Sequence, residues 1–437
     1  MLLRTLIAAT ALTAAAGVYA DSPVDIFNDS LKSSHRIILL PGDEKPEPAD
    51  SMRAIIDNFY FDQFRNFQDP AAPYFLFMSR DANLAMGIGG CVRMRGWYDW
   101  GGAIPANGFA PALIPMTPDP TQMRRFATTP AGTSLFFKVL GHTFADIDYQ
   151  IYIECNFNGG GGTSGGHDFH LKKAYAIIND WTVGYASSTF SDPAAQPPTV
   201  DAQGPNNKMA MTDVLLRWMK PLSRHFTLAL SAENPAQQTE QLTDLTAKVD
   251  EWLPDFAAFI QYGWRKSEHV RLAAIYRTLS YRNLAEGANR NVGGVGLQLS
   301  SISRPLDPLT VYATVTAGKG TASLGGDMLI GNFDLVPDPE REGVLYAPWS
   351  LGWCGGLQWN FKPELFVSAT VSQSRYLPSY TPADDTYRYG TYIAANVFWN
   401  PTPRVQVGAE VNLGERVNFD HASRWARRVG AMCQFSF

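Results

Sequence analysis

The sequence predicts an all-β fold: a 16-stranded antiparallel transmembrane β-barrel preceded by a short N-terminal periplasmic segment. Three observations carry that prediction. From Met86 onward, short stretches alternate apolar with polar or small residues, the period of two expected of a strand with unlike faces. Aromatic residues (Trp181, Tyr262, Trp264, Trp359, Phe361, Tyr389, Trp399) fall near the ends of the apolar faces, where an amphipathic ring suits the lipid headgroup boundary. Short turns alternate with long polar or Gly-rich loops, as barrel connections do. Composition agrees. Of 437 residues 45% are hydrophobic and only 18% charged, and 36 Lys and Arg against 41 Asp and Glu leave a net charge of -5 with no basic excess to hold nucleic acid. Beyond the first twenty residues no apolar run reaches the roughly 18 residues of a membrane helix.

Taken in order, residues 1–20 read as a signal peptide. Arg4 supplies the positive start, Thr5 to Ala16 the apolar core and Val18-Tyr19-Ala20 a small-x-small cleavage site, while the apolar part is too short for an anchor. Residues 21–82 form a separate periplasmic or lumen-docked segment. In it, Asp43 to Ala49 is loop-like, and Ser51 to Phe67 is compatible with a docked amphipathic helix, a strand or a mobile extension. Sustained heptads are missing, so a coiled coil is not expected.

The barrel occupies residues 83–437. Its strands are expected to begin near Met86, Thr133, Asp148, Phe169, Trp181, Met211, Phe226, Asp255, Val270, Asn291, Leu309, Leu351, Leu365, Tyr387, Arg404 and Trp425. The plainest dyad runs from Val405 to Leu413, with one face aliphatic and the other polar or Gly. Short turns are expected at Asn179-Asp180, Lys362-Pro363 and Asn400 to Pro403, and long loops at Gly101 to Gly132 and Gly318 to Leu345. Val429 to Phe437 alternates and closes on Phe, an ending similar to the assembly signal of bacterial outer-membrane barrels. Sixteen strands are expected to enclose an aqueous lumen.

Parity then sorts the charges. With the aliphatic sets facing lipid, Arg93, Arg95, Lys138, Lys172, Arg217, Arg265, Arg271, Arg277, Arg388 and Arg428 face the pore, against the acids Asp99, Glu154, Asp213, Glu233 and Glu410. A basic lumen lowers the barrier to anions, so a mild anion preference follows. Lys173 falls on the lipid-facing set, an unfavourable place at about 2–4 kcal/mol near the bilayer midplane. Together with the small outward residues Gly90 and Gly96, it points to burial against a neighbouring subunit, and hence to a homotrimer.

Asp168 to Asn207 is the most informative stretch: a strand, the turn Asn179-Asp180, a second strand and a long loop, the third by count. Ala174-Tyr175, Gly184, Ser188, Phe190, Asp192-Pro193, Pro198, Thr199, Asp201 and Gly204-Pro205 resemble the matching region of the DcaP-like trimeric porins. That resemblance implies an outer-membrane channel for small organic anions. By its position the loop also resembles the constriction loop of general porins, so residues 190–208 are expected to fold into the lumen, with Asp192 and Asp201 opposite the basic wall that parity gives.

Enzymatic chemistry is not expected. Of seven His, the close pair His167 and His170 lacks a carboxylate cluster, so no metal site is assigned, and no nucleophile elbow, P-loop or dinucleotide fingerprint occurs. Gly159 to Gly162 reads as a flexible loop. Cys91, Cys155, Cys354 and Cys433 are far apart and read as packed thiols without a cofactor. The expected function is a passive porin for small hydrophilic solutes in the bacterial outer membrane, with lipid and lipopolysaccharide as its surroundings. The alternatives are a hatch-plugged transporter of hydrophobic substrates and a barrel-anchored surface interaction protein.

Overall fold

In the computed structural model a sheet closed on itself forms the frame. The structure describes residues 36–40, 64–69, 73, 75–81, 83–102, 104, 107–142, 147–159, 167–235, 241–265 and 267–437. Residues 1–20, expected to be a signal peptide, and most of the 21–82 segment, including the possible helix before residue 64, lie outside the described residues.

The first stave is β3 (Leu84–Trp100). The second is interrupted: β4 (Arg124–Thr129) pairs the upper half of β3 and β5 (Ser134–His142) pairs the lower half. There follow β6 (Asp148–Gly159), β7 (Asp168–Ile178), β8 (Trp181–Ser187), β9 (Thr212–Pro221) and β10 (Phe226–Glu233). Next come β12 (Asp255–Arg265), β13 (Glu268–Asn283), β14 (Ala288–Leu306) and β15 (Leu309–Lys319). The circuit ends with β18 (Trp349–Lys362), β19 (Leu365–Leu377), β20 (Tyr387–Thr402), β21 (Val405–Asn418) and β22 (Ser423–Ser436). β22 pairs β3 from Arg427↔Trp100 to Ser436↔Cys91, which closes a 16-strand antiparallel barrel. All neighbouring staves are antiparallel, so every ladder group between them is satisfied without an edge.

Alternation makes the wall two-faced. In β21 and β22, Val411, Trp425, Val429 and Phe435 are exposed on the outside, while Glu410, Asn412, Arg428 and Gln434 are buried within. The expected strand starts fall within three residues of the observed ones, except that the second stave begins at Arg124, inside what reads as a loop. That stave continues past an irregularity at 130–133, where the Ala131–Thr133 bridge interrupts the alternation that the sequence would otherwise display. Asn179 adopts φ 51° in its two-residue turn, a conformation that Asn tolerates.

Beneath the last turn of β22 the wall is extended. β2 (Phe75–Met78) pairs β3 antiparallel on the side that β22 has vacated, and β1 (Arg36–Leu39) pairs β2 in parallel. The Gly90 and Phe437 backbones exchange hydrogen bonds of 3.1 and 3.0 Å at that junction.

The expectation of an aqueous lumen rather than a filled core is corrected. Residues 188–211 turn inward after β8 and are almost entirely buried, and residues 320–348 fold in above them with α1 (Gly326–Ile330) and the hairpin β16 (Val336–Pro337) and β17 (Leu345–Tyr346). Gly326 has φ +68°, and a Cβ there would come within 2.4 Å of the Asn206 carbonyl oxygen, so glycine lets the two loops cross. Apolar clusters lie inside the barrel. Phe64, Phe190, Phe259 and Ile275 belong to one, while Phe366, Phe398, Val200 and Met432 form another with Phe67 against it. Strand parity allows this because an inward position carries whatever residue the loops need to pack against. The remaining short strand, β11 (Thr246–Lys248), pairs the upper end of β13.

Candidate functional site

The site is a chamber of about 210 Å³ between the wall of β3, β5, β6 and β7 and the third loop. Odd positions of β3 point inward and deliver Arg93 and Arg95, both buried. The Arg93 Nε donates to Gln434 Oε1 at 2.8 Å, which fixes the guanidinium against the closing stave. Lys138 is buried on β5.

The next cations arise from a break in the alternation. Between β6 and β7 the register shifts, with Glu154 opposite Lys173 and Cys155 opposite Leu171. The additional residue is Lys172, and such a bulge lets two consecutive side chains leave on one face. Both lysines therefore reach the interior: Lys172 Nζ lies 2.8 Å from Glu154 Oε1, and Lys173 is buried. The expectation of a lipid-facing Lys173 is thus overturned, and it no longer supports a subunit contact.

What meets these cations is the described part of the N-terminal segment, Phe64–Asp69. Asp69 sits with Oδ1 2.5 Å from Lys172 Nζ and Oδ2 3.6 Å from Lys173 Nζ. Burial by itself would raise the Asp69 carboxyl; the two ammonium groups outweigh it and hold it well below the usual carboxylate range. Gln68 accepts from Arg93 through its backbone oxygen and from Arg95 through its side-chain oxygen. Its amide nitrogen donates to the Thr199 and Asp201 carbonyls at 3.0 and 3.1 Å, so one side chain spans from wall to loop. Asn66 and Asp69 brace each other, with Asn66 N donating to Asp69 Oδ2 at 2.8 Å. Phe64 lies beneath the Arg217 guanidinium at 4.0 Å, and Phe67 packs edge-on to Phe366 and Phe398. Lys208 completes the surroundings, its ammonium lowered by burial with only partial return from Asp201 and Asp69.

The other pore-facing cations are placed elsewhere. Arg271 donates to Gln261 Oε1 and to the Ser191 carbonyl, 3.5 Å from Asp192. Arg277 bridges Asp255 at 2.9 Å, Asp334 at 3.2 Å and the Gly320 carbonyl. Arg217 donates to the Ser187 carbonyl, and Arg428 holds Asp99 at 2.6 Å. Arg388 sits half-buried at the rim beside His421. Arg265 does not enter the chamber: a register shift between Gly263 and Arg265 breaks parity, and the side chain lies 45% exposed at the turn, 3.3 Å from Glu268.

The loop acids also differ from expectation. Instead of facing the basic wall across an open passage, Asp192 is clamped by His269 Nε2 at 2.8 Å and the Ser300 hydroxyl at 2.5 Å. Burial would raise its carboxyl, but Arg271 and His269 hold it well below the usual range. Asp201 accepts from Phe109 N and Gly204 N at 2.8 and 2.9 Å and is raised by burial, against the opposing pull of Arg428. Both acids brace the loop, as do Glu233, which accepts from Thr189 N, and Glu410, which accepts from Val200 N and Asp201 N. Asp213 is half-buried on β9.

Sequence reasoning missed Gln68, Asp69, Lys173 and Lys208. Lys173 was hidden by the bulge. The segment Asn66-Phe67-Gln68-Asp69 has the composition of an ordinary turn, and nothing local marks it as an occupant of the lumen.

No protein-family model matches the chain, and neither does any curated protein. Solved structures do. The outer membrane channel DcaP of Acinetobacter baumannii is 19% identical over 82% of this chain and 98% of that one, with a TM-score of 0.70. Salmonella typhi OmpF, in a complex with daunomycin, is 9% identical over 81% and 98%, with a TM-score of 0.53. A trimer form of OmpT, an outer membrane protein of Vibrio cholerae, is 8% identical over 81% and 99%, with a TM-score of 0.50. Closure through β22 and β3, the inward third loop and these likenesses together assign the chain the fold of bacterial outer-membrane porins.

Proposed function

We propose that the chain is an outer-membrane porin, a passive channel for small hydrophilic solutes that prefers anions such as small organic acids. The observation that carries this reading is the convergence of Arg93, Arg95, Lys172, Lys173 and Lys208 on one chamber beside the third loop, which acts as the constriction. A cluster of one sign in a narrow, partly dry passage raises the local concentration of counter-ions and repels like charge. A signal peptide at residues 1–20 directs export, and the barrel sits among outer-membrane lipid and lipopolysaccharide in a Gram-negative cell. A homotrimer is supported by the trimer form of the Vibrio cholerae neighbour and by the small outward Gly96, whereas Gly90 is covered by Ser134 and Phe437 of the same chain. A cation-lined chamber does not favour a transporter of hydrophobic substrates.

The test is the reversal potential of the purified full chain in planar bilayers across a potassium chloride gradient. Anion preference is expected, and it should shift toward cations in Arg93→Gln/Arg95→Gln. Ideal cation selectivity in the native chain would overturn the reading. Native mass spectrometry in mild detergent should show trimers; monomers alone would remove the assembly.

A further inference from the structure

The chamber that should pass anions already holds one at its wall, and it belongs to the chain itself. Lys172 and Lys173 close on Asp69, while Arg93 and Arg95 close on the two oxygens of Gln68. These are the contacts that a carboxylate with a second acceptor oxygen would make on its way through. The segment also ties wall to loop, because Gln68 reaches from the β3 arginines to the Thr199 and Asp201 carbonyls of the third loop.

We propose that Gln68 and Asp69 act as a tethered competitor for the anion site, closing the passage at rest and yielding it to carboxylate solutes that displace them. This rests on the porin reading above and adds a gate to it. Two features make the exchange workable. The pair Lys172 and Lys173 shares Asp69, with Glu154 as the nearby wall acid, so the two ammonium groups repel one another once Asp69 leaves. A solute carboxylate that enters as Asp69 departs keeps that charge balanced. The segment is anchored on both sides, by Phe64 under Arg217 and Phe67 against Phe366 and Phe398 before the pair and by β2 on β3 after it, so Gln68 and Asp69 can turn aside only as a short stretch between fixed ends. Occupancy of the site then depends on the concentration of the entering anion, as any competition with an intramolecular ligand does.

The experiment is conductance of the full chain in planar bilayers, with sodium citrate replacing sodium chloride at constant ionic strength. For the native chain, a low resting open probability is expected, rising with citrate. Asp69→Asn should raise the resting open probability at least about threefold and flatten the citrate response, because the stretch loses its charge. Phe64→Ala should act in the same direction through the anchor, and Asp69→Glu should restore the native behaviour. Heat-modifiable migration checks that each variant is a folded barrel. If the native chain conducts fully in chloride and Asp69→Asn and Phe64→Ala are indistinguishable from it, the competitor is overturned while the porin reading stands. If neither the native chain nor any folded variant conducts, both are overturned.

Discussion

Two flanks of the lumen use the same residue types to opposite ends. On the β12 to β14 side, Arg271 and Arg277 each meet a carboxylate held by the framework: Arg277 lies between Asp255 and Asp334, and Arg271 beside Asp192, itself tied to His269 and Ser300. On the β3 to β7 side, Arg93, Arg95, Lys172 and Lys173 outnumber the wall acid Glu154, and part of their balance comes from Asp69 on the N-terminal segment. The difference teaches how a barrel divides its buried charge. Paired cations pin loops to the wall and are spent in doing so. Cations left in excess can take an exchangeable partner, and in the proposed channel those govern which ions pass.

The contrast breaks most visibly at Arg277, which is fully buried. Arg277→Ala removes the guanidinium that Asp255 and Asp334 share, an expected loss of about 3–5 kcal/mol. The temperature at which the folded gel band disappears should fall steeply; an unchanged temperature would mean that the pair is not a brace. A smaller loss, about 2 kcal/mol, is expected for Asp192→Asn, which weakens the charge-assisted contacts to His269 and Arg271. There the informative readout is open-channel current noise, which should increase as the third loop loosens.

On the other flank the pattern should invert. Arg93→Gln/Arg95→Gln is expected to move the reversal potential toward cations while the unfolding temperature moves less than in Arg277→Ala. A larger stability loss than in Arg277→Ala would erase the distinction between the flanks. The smallest effect concerns Asp327, where loop meets loop. Burial raises its carboxyl to about 6, against hydrogen bonds from Asn206 and Tyr387 at 2.8 Å each. The folded chain therefore binds more protons there than the unfolded chain between the ordinary carboxyl range and pH 6, so stability is gained as pH falls through that window. Thermal unfolding should show a gain from pH 7.5 to pH 5 that shrinks in Asp327→Asn. An equal gain in both proteins would remove Asp327 from the account.

Much of this was legible in the sequence because a barrel wall is a local code. Val411 and Glu410 sit on opposite faces for no reason beyond the strand period and the two solvents it separates. Arg93, Arg95, Arg271 and Arg277 were therefore placed inward from parity alone. The same rule failed at Lys173 and Arg265, each beside a register shift, because one additional residue reverses the face of everything that follows it until pairing resumes.

By itself, then, the sequence determined the strand order, the closed barrel and the inward face of most of its charges, since alternation needs only neighbours along the chain. The tertiary structure alone decided which of those charges are spent and which are available. Asp69 meets Lys172 across 103 positions, and Asn206 meets Asp327 across 121. Such pairings depend on where an inward loop or a tether comes to rest inside a closed wall. No period in the sequence records that, because the energy that selects the partner is the cost of leaving a buried charge without one.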